Sequence, residues 1–137
     1  MFVLDTNVIS ELRSGKPQQS AAVRAWAAGQ PVNQLYLSAV TVLELEMGVL
    51  RVARKDAVQA AMLRAWVDGL LRRFVGKMLP FTADAALVCA PMHVPDPRSF
   101  RDSMIAATAM QHGLTLVTRN VDDFKGLALK LVNPWGG

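Results

Sequence analysis

Cysteine is nearly absent from this 137-residue chain: Cys89 stands alone in the apolar run AALVCA. That excludes an intramolecular disulfide, and the setting reads as a buried, unreactive thiol. Histidine is scarce too. His93 and His112 lie far apart and, with one cysteine, leave no zinc-ligand set. No apolar run approaches the ~20 residues of a membrane-spanning helix. The first residues already pattern as a strand, so no signal peptide is expected and the cytoplasm is the default compartment. Internal repeats and low-complexity segments are also missing. What remains is 52% hydrophobic and 19% charged, a balance that fits a compact globular protein and excludes a disordered one. The length predicts a single domain over 1–137.

The net charge is +4 and the sequence pI about 9.7. Arg51, Arg54, Lys55, Arg64, Arg72, Arg73 and Lys77 concentrate it in the middle third. Such a balance is compatible with a phosphate-bearing partner, and equally with the solvated faces of helices.

Short apolar runs alternate with helical patterns. FVL (2–4), LYL (35–37), KMLPF (77–81), TLVT (115–118) and LALKLV (127–132) read as strands. TNVISELR reads as a helix capped by Thr6 or Asn7, SAAVRAWAAG as one running from Ser20 to Gly29, and SAVTVLELEMGVLRVAR as one starting at Ser38. Val58, Met62, Leu63, Trp66, Leu70 and Phe74 recur at helical spacing, which predicts a packing face over 56–76 weakened at Gly69 and ended by Gly76. TADAALVCAPMH reads as a helix, VPDPRSF as a Pro-rich loop, and RDSMIAATAMQHG as a helix of small residues able to lie close to a sheet. The alternation predicts an α/β fold with a mainly parallel sheet and helices on both faces.

Open parallel sheets place ligand sites beyond the carboxyl ends of their strands. Asp5 follows FVL directly, and Asn120, Asp122 and Asp123 follow TLVT; Glu44 lies in the helix after LYL, and Asp102 in the first turn of the helix before TLVT. Each has a plain structural alternative. Asp5 or Asp102 would serve as a helix cap, Glu44 as part of a capping box from Thr41, and Asp122 and Asp123 as solvated turn residues. Periodicity leaves Glu44 and Glu46 undecided. Three or four converging carboxylates need a compensating charge, which a hard divalent cation such as Mg²⁺ supplies. Such a site suits in-line attack on a phosphodiester and needs no catalytic His or Ser.

LDTNVISEL, YLSAVTVLELEMGV, DSMIAATAMQHGLTLVTRN and NPW, in that order, resemble the PIN-domain ribonucleases. More closely the chain is similar to VapC-type toxins of bacterial toxin–antitoxin pairs, in their FitB-like branch. The resemblance implies a three-layer α/β/α sandwich and an endoribonuclease dependent on Mg²⁺, with Mn²⁺ as the alternative ion. It matches Asp5, Glu44 and Asp102 to the metal-binding acids and places Asn120 where many relatives carry a fourth acid. The Asn120 amide oxygen can still ligate the ion or orient a water without bringing charge, and Asp123, or more weakly Asp122, is the candidate to supply that charge, so the fourth role stays open. It further implies an RNA substrate, a homodimer, a small VapB-like antitoxin, and contact with operator DNA only through that antitoxin. A haloacid-dehalogenase-type phosphotransferase would need an acid where Asn7 stands. The non-enzymatic alternative is a PIN-like module that binds nucleic acid or protein without cleaving.

Overall fold

The computed structural model describes residues 1–13 and 15–136. Among these residues five short strands form one sheet: β1 (Phe2–Leu4), β2 (Leu35–Ser38), β3 (Met78–Leu79), β4 (Thr115–Val117) and β5 (Leu131–Val132). Their order is β3-β2-β1-β4-β5, and every adjacent pair is parallel. Parallel neighbours require crossovers, and among the described residues six helices carry the first three: α1 (Thr6–Glu11), α2 (Ala21–Ala28), α3 (Ala39–Ala53), α4 (Ala57–Arg73), α5 (Ala83–Cys89) and α6 (Phe100–Gln111). The β4–β5 connection carries only a 3₁₀ segment, Val121–Phe124.

The sheet divides two apolar cores, because successive strand residues point to opposite faces. Leu4, Leu35, Leu37 and Val117 pack with Val8, Ile9, Val23, Leu45, Val67 and Phe74 from α1 to α4. Val3 and Leu116 point the other way and join Cys89 of α5 and Ile105, Ala106 and Ala109 of α6. The expected three layers are therefore present. The alanines of α6 are fully buried, as its small residues predicted. No helix among the described residues is long and apolar enough to cross a membrane.

Several boundaries differ from expectation for local reasons. The cap of α1 is Asp5 itself, whose carboxylate accepts the Thr6 N–H, rather than Thr6 or Asn7. Ser99 caps α6, so Asp102 sits inside the first turn. The last strand is confined to residues 131–132, since β4 offers a three-residue partner edge and pairs only Leu116 and Val117 with it. Gly69 is absorbed within α4, which stops at Arg73, and Gly76 follows in a left-handed conformation at φ 79°. The packing stripe of α4 is buried only toward its end: Leu70 and Phe74 are in the core, whereas Val58 and Met62 are exposed.

Candidate active site at the carboxyl edge of the sheet

Because the three central strands run in parallel, the residues leaving β1, β2 and β4 emerge at one edge. Each is an oxygen-bearing side chain: Asp5 after Leu4, Ser38 at the end of β2, and Thr118 after Val117. The Asp5 N–H donates to the Val117 carbonyl (2.9 Å), carrying the β1–β4 ladder one residue past the strand and fixing the aspartate's backbone.

The Asp5 carboxylate is almost wholly buried. Oδ1 accepts the Thr6 N–H (2.7 Å) and Oδ2 accepts the Thr118 hydroxyl (2.8 Å). The Thr118 oxygen in turn accepts from Asn7 Nδ2 (3.4 Å) and from the Asn120 N–H (3.1 Å). Burial drives the Asp5 pKa up to about 6; the bonds from Thr118 and Thr6 oppose this, and the charges of Asp102 and Glu44 add to it.

Glu44 is held from the other side. Its Oε1 accepts the Thr6 hydroxyl (2.9 Å), the Thr6 oxygen lies 3.0 Å from Thr41 Oγ1, and Thr41 Oγ1 accepts from Ser38 Oγ (3.3 Å). Each hydroxyl has one proton to give. With the Thr6 proton directed at Glu44, Thr41 donates to Thr6, and the row Ser38–Thr41–Thr6 ends on the carboxylate. Two residues along, Glu46 forms a double bond pair with Arg64 of α4 at 2.6 Å for each contact. The structure thus separates the two glutamates that periodicity left equal: Glu44 faces Thr6 and Glu46 ties α3 to α4.

Asp102, partly exposed in the first turn of α6, has its pKa raised by burial and then by the charges of Asp123 and Glu44. Asp123 belongs to a 3₁₀ segment, Val121–Phe124, that packs on α6. Its neighbour Asp122 is turned to solvent and pairs with Lys125 (3.2 Å). Asn120 reaches the site through its backbone N–H on Thr118, and its side chain makes no capping bond.

Asp5, Glu44, Asp102 and Asp123 therefore share one electrostatic neighbourhood built from four elements. Among the described residues, the cation in ion-pair range of Asp5, Glu44 or Asp102 is Arg101, whose Nη1 is 3.6 Å from Glu44 Oε2. No three His, Cys, Asp or Glu side chains among the described residues converge tightly enough to enclose an ion by themselves. The donor set is nevertheless all oxygen and in excess negative charge. That suits a hard cation such as Mg²⁺, which takes one or two carboxylates and completes its shell with water and substrate phosphate.

A groove of about 260 Å³ leads away from Glu44, lined by Thr6, Ser10, Arg13, Lys16, Gly48 and Trp66. Thr118 and Arg101 were not singled out by sequence reasoning, and Thr41 only as the start of a capping box. A hydroxyl or carboxylate at each strand exit was a visible signal for Thr118; nothing local marked Arg101.

Comparison with known proteins came out consistently. The PIN domain description matches residues 2–129. The VapC ribonuclease Y4jK of Sinorhizobium fredii (strain NBRC 101917 / NGR234) is 38% identical over 141 residues, covering 98% of each chain. Toxin FitB of Neisseria gonorrhoeae (strain ATCC 700825 / FA 1090) is 35% identical over 148 residues, covering 98% of this chain and 99% of its own. Among solved structures, FitAcB from Neisseria gonorrhoeae superposes with a TM-score of 0.90 at 34% identity over the whole of both chains. FitAB bound to the IR36 DNA fragment gives 0.86 at 34% identity, covering 98% of this chain and 96% of that one.

Proposed function

The chain belongs to the PIN-domain family, and from that premise we propose that it is a metal-dependent endoribonuclease, the toxin of a toxin–antitoxin pair. PIN-domain ribonucleases depend on a metal ion in general. Here the ion is Mg²⁺, replaceable by Mn²⁺, and Asp5, Glu44 and Asp102 hold it, with Asp123 supplying the fourth negative charge and Asn120 only a backbone contact. One observation carries this reading: at the exit of a parallel sheet, Asp5 after β1 is buried with its charge unpaired, and the carboxylates of Glu44 on α3 and Asp102 on α6 stand close enough to add to the rise in its pKa. Stability alone gives no reason to gather them there.

When bound, the ion would supply an activated water and offset charge on the phosphate. The chain's own residues do the positioning. Thr118 and Thr6 immobilise Asp5, the hydroxyl row aims Glu44, and the half-exposed guanidinium of Arg101 lies where an incoming phosphate meets the edge. Arg13 and Lys16 line the same groove as Glu44 and extend a cationic path for the RNA backbone.

The FitAB complex bound to a DNA fragment supports an antitoxin partner for this chain. We infer further that the chain forms a homodimer, is silenced by a small VapB-like antitoxin, and meets operator DNA only through that partner. Leu43, Leu50, Val58 and Met62 are exposed on α3 and α4 and give such a partner an apolar face. Residues 1–137 act as one cytoplasmic PIN-like domain.

The test is cleavage of a mixed, structured RNA pool by wild type and Asp5→Asn, with Mg²⁺, with Mn²⁺ and with EDTA. Cleavage by wild type that disappears in EDTA and in the variant is the expected result. RNA bound but never cut by wild type would instead make the chain a non-catalytic nucleic-acid-binding module.

A further inference from the structure

The loop between α5 and α6 contains one residue that is drawn inward. Arg98 is partly buried, while Val94, Pro95, Asp96, Pro97 and Ser99 around it are exposed. Its guanidinium donates from Nη1 to the Asp123 carbonyl (2.9 Å) and from Nη2 to the Lys125 carbonyl (3.0 Å). Those carbonyls lie at the end of the 3₁₀ segment 121–124, where backbone acceptors lack intrahelical partners. A planar two-pronged donor suits them better than a single ammonium.

Arg98 is itself tethered toward α6. Its backbone N–H donates to His93 Nδ1 (3.4 Å), and His93 Nε2 lies 2.7 Å from Ser103 Oγ. Ser103 gives its only hydroxyl proton to the Phe100 carbonyl (3.0 Å). His93 must therefore donate from Nε2 while Nδ1 accepts, which commits both ring nitrogens. The imidazole also stacks on Phe100, with centroids 4.8 Å apart. Ser103 adjoins Asp102. A continuous series of bonds thus joins the helix that carries Asp102 to the segment that carries Asp123.

Phe124 anchors that segment from beneath, fully buried in the α5–α6 core. The Asn120 N–H on Thr118 holds the start of the segment. The two carbonyl bonds from Arg98 hold its other end.

We propose that Arg98 is a positioning residue, holding the 121–125 backbone so that the Asp123 carboxylate faces Asp102, with His93 keeping the Arg98 loop in register with α6. The inference rests on the nuclease reading of this site and adds the group that orients its fourth acid. Arg98 touches carbonyls and no carboxylate, so it acts through Asp123.

The test compares Arg98→Ala and Arg98→Lys with wild type, each also in an Asp123→Asn background. Three quantities are read: hydrogen exchange at the Asp123 and Lys125 amides, Mn²⁺ affinity by calorimetry, and kcat and KM on an RNA that wild type cuts. Both amides are bonded within the segment, to Asn120 and Asp122, so their exchange reports its opening. Arg98→Ala is expected to speed that exchange, weaken Mn²⁺ binding and lower kcat, each by about tenfold, with KM within about twofold. Arg98→Lys should fall between, and it covers the case in which the alanine variant does not fold. In the Asp123→Asn background, Arg98→Ala should lower kcat no further, because the group it positions is gone.

Unchanged exchange would overturn the proposal. So would an equal kcat loss in both backgrounds, or a loss confined to KM, which would make Arg98 an RNA contact. If wild type cuts no RNA, the nuclease reading falls, and the exchange measurement still decides the role of Arg98.

Discussion

Two buried carboxylates stand at opposite ends of the six-residue helix α1, and they behave in opposite ways. Asp5 is 6% exposed and Glu11 5%. Asp5 meets the Thr118 hydroxyl, the Asn7 amide, one backbone N–H and two like charges, and its pKa rises to about 6. Glu11 accepts Lys16 Nζ (2.6 Å) and the Ser20 N–H (2.8 Å), and those two bonds hold its pKa below the ordinary carboxylate range. Burial is the main cause of the Asp5 rise, which its hydrogen bonds only moderate and the two like charges reinforce. At Glu11 the bonds from the Lys16 ammonium and the Ser20 N–H outweigh burial. Glu11 is a clasp that closes the segment between α1 and α2 onto the helix, whereas Asp5 is held in place with its charge uncompensated.

The largest effect should come from Asp5→Asn, which keeps the capping oxygen and removes the charge. Cleavage is expected to fall on the order of a thousandfold, while urea unfolding in EDTA at neutral pH shows no loss of stability. The sign follows from the raised pKa: stability from Asp5 is fully present below 3.8 and is lost as pH climbs through about 6. A destabilised variant would mean that Asp5 is only a structural cap.

The same contrast should recur within α3. Glu44→Gln is expected to lower cleavage on the order of a hundredfold. Glu46→Gln loses a half-exposed, solvent-screened ion pair with Arg64 and should leave cleavage nearly unchanged. Equal losses in the two variants would erase the distinction between the glutamates.

Glu11→Ala should reverse the pattern of Asp5→Asn. The Ser20 N–H and Lys16 lose their acceptor, the urea midpoint drops, and kcat stays within about twofold of wild type. A large kcat loss in a folded variant would place Glu11 in the nuclease site.

The smallest effect is a pH dependence. Because the Glu11 pKa is lowered, its stabilising contribution is present above its ordinary value of 4.5 and is lost as pH falls through the folded pKa. The stability gap between wild type and Glu11→Gln should therefore be constant near neutrality and close on acidification. A gap that widens in acid would contradict the clasp.

Much of this was legible in the chain. Apolar runs of three or four residues, each followed by an oxygen-bearing side chain, announced parallel strands with a site at their exits. The alanines of α6 announced a helix against the sheet. The two ends of α1 were less legible, since one carboxylate caps and another clasps, and both look alike as a polar residue beside an apolar run. The last strand was overread for a related reason: LALKLV alternates well enough, but only Leu131 and Val132 find a neighbour.

The sequence by itself determined the layers, the crossovers and the acids at the sheet's edge, because these follow from side-chain period and strand direction, which are local. Only the tertiary structure decided which carboxylates are answered by a cation. It set Glu11 against Lys16 and Glu46 against Arg64, left Asp5 among neutral donors and like charges, and brought Arg98 under the carbonyls of Asp123 and Lys125. Charges interact through space at distances of a few ångströms, and residues tens of positions apart reach those distances only once the chain has folded.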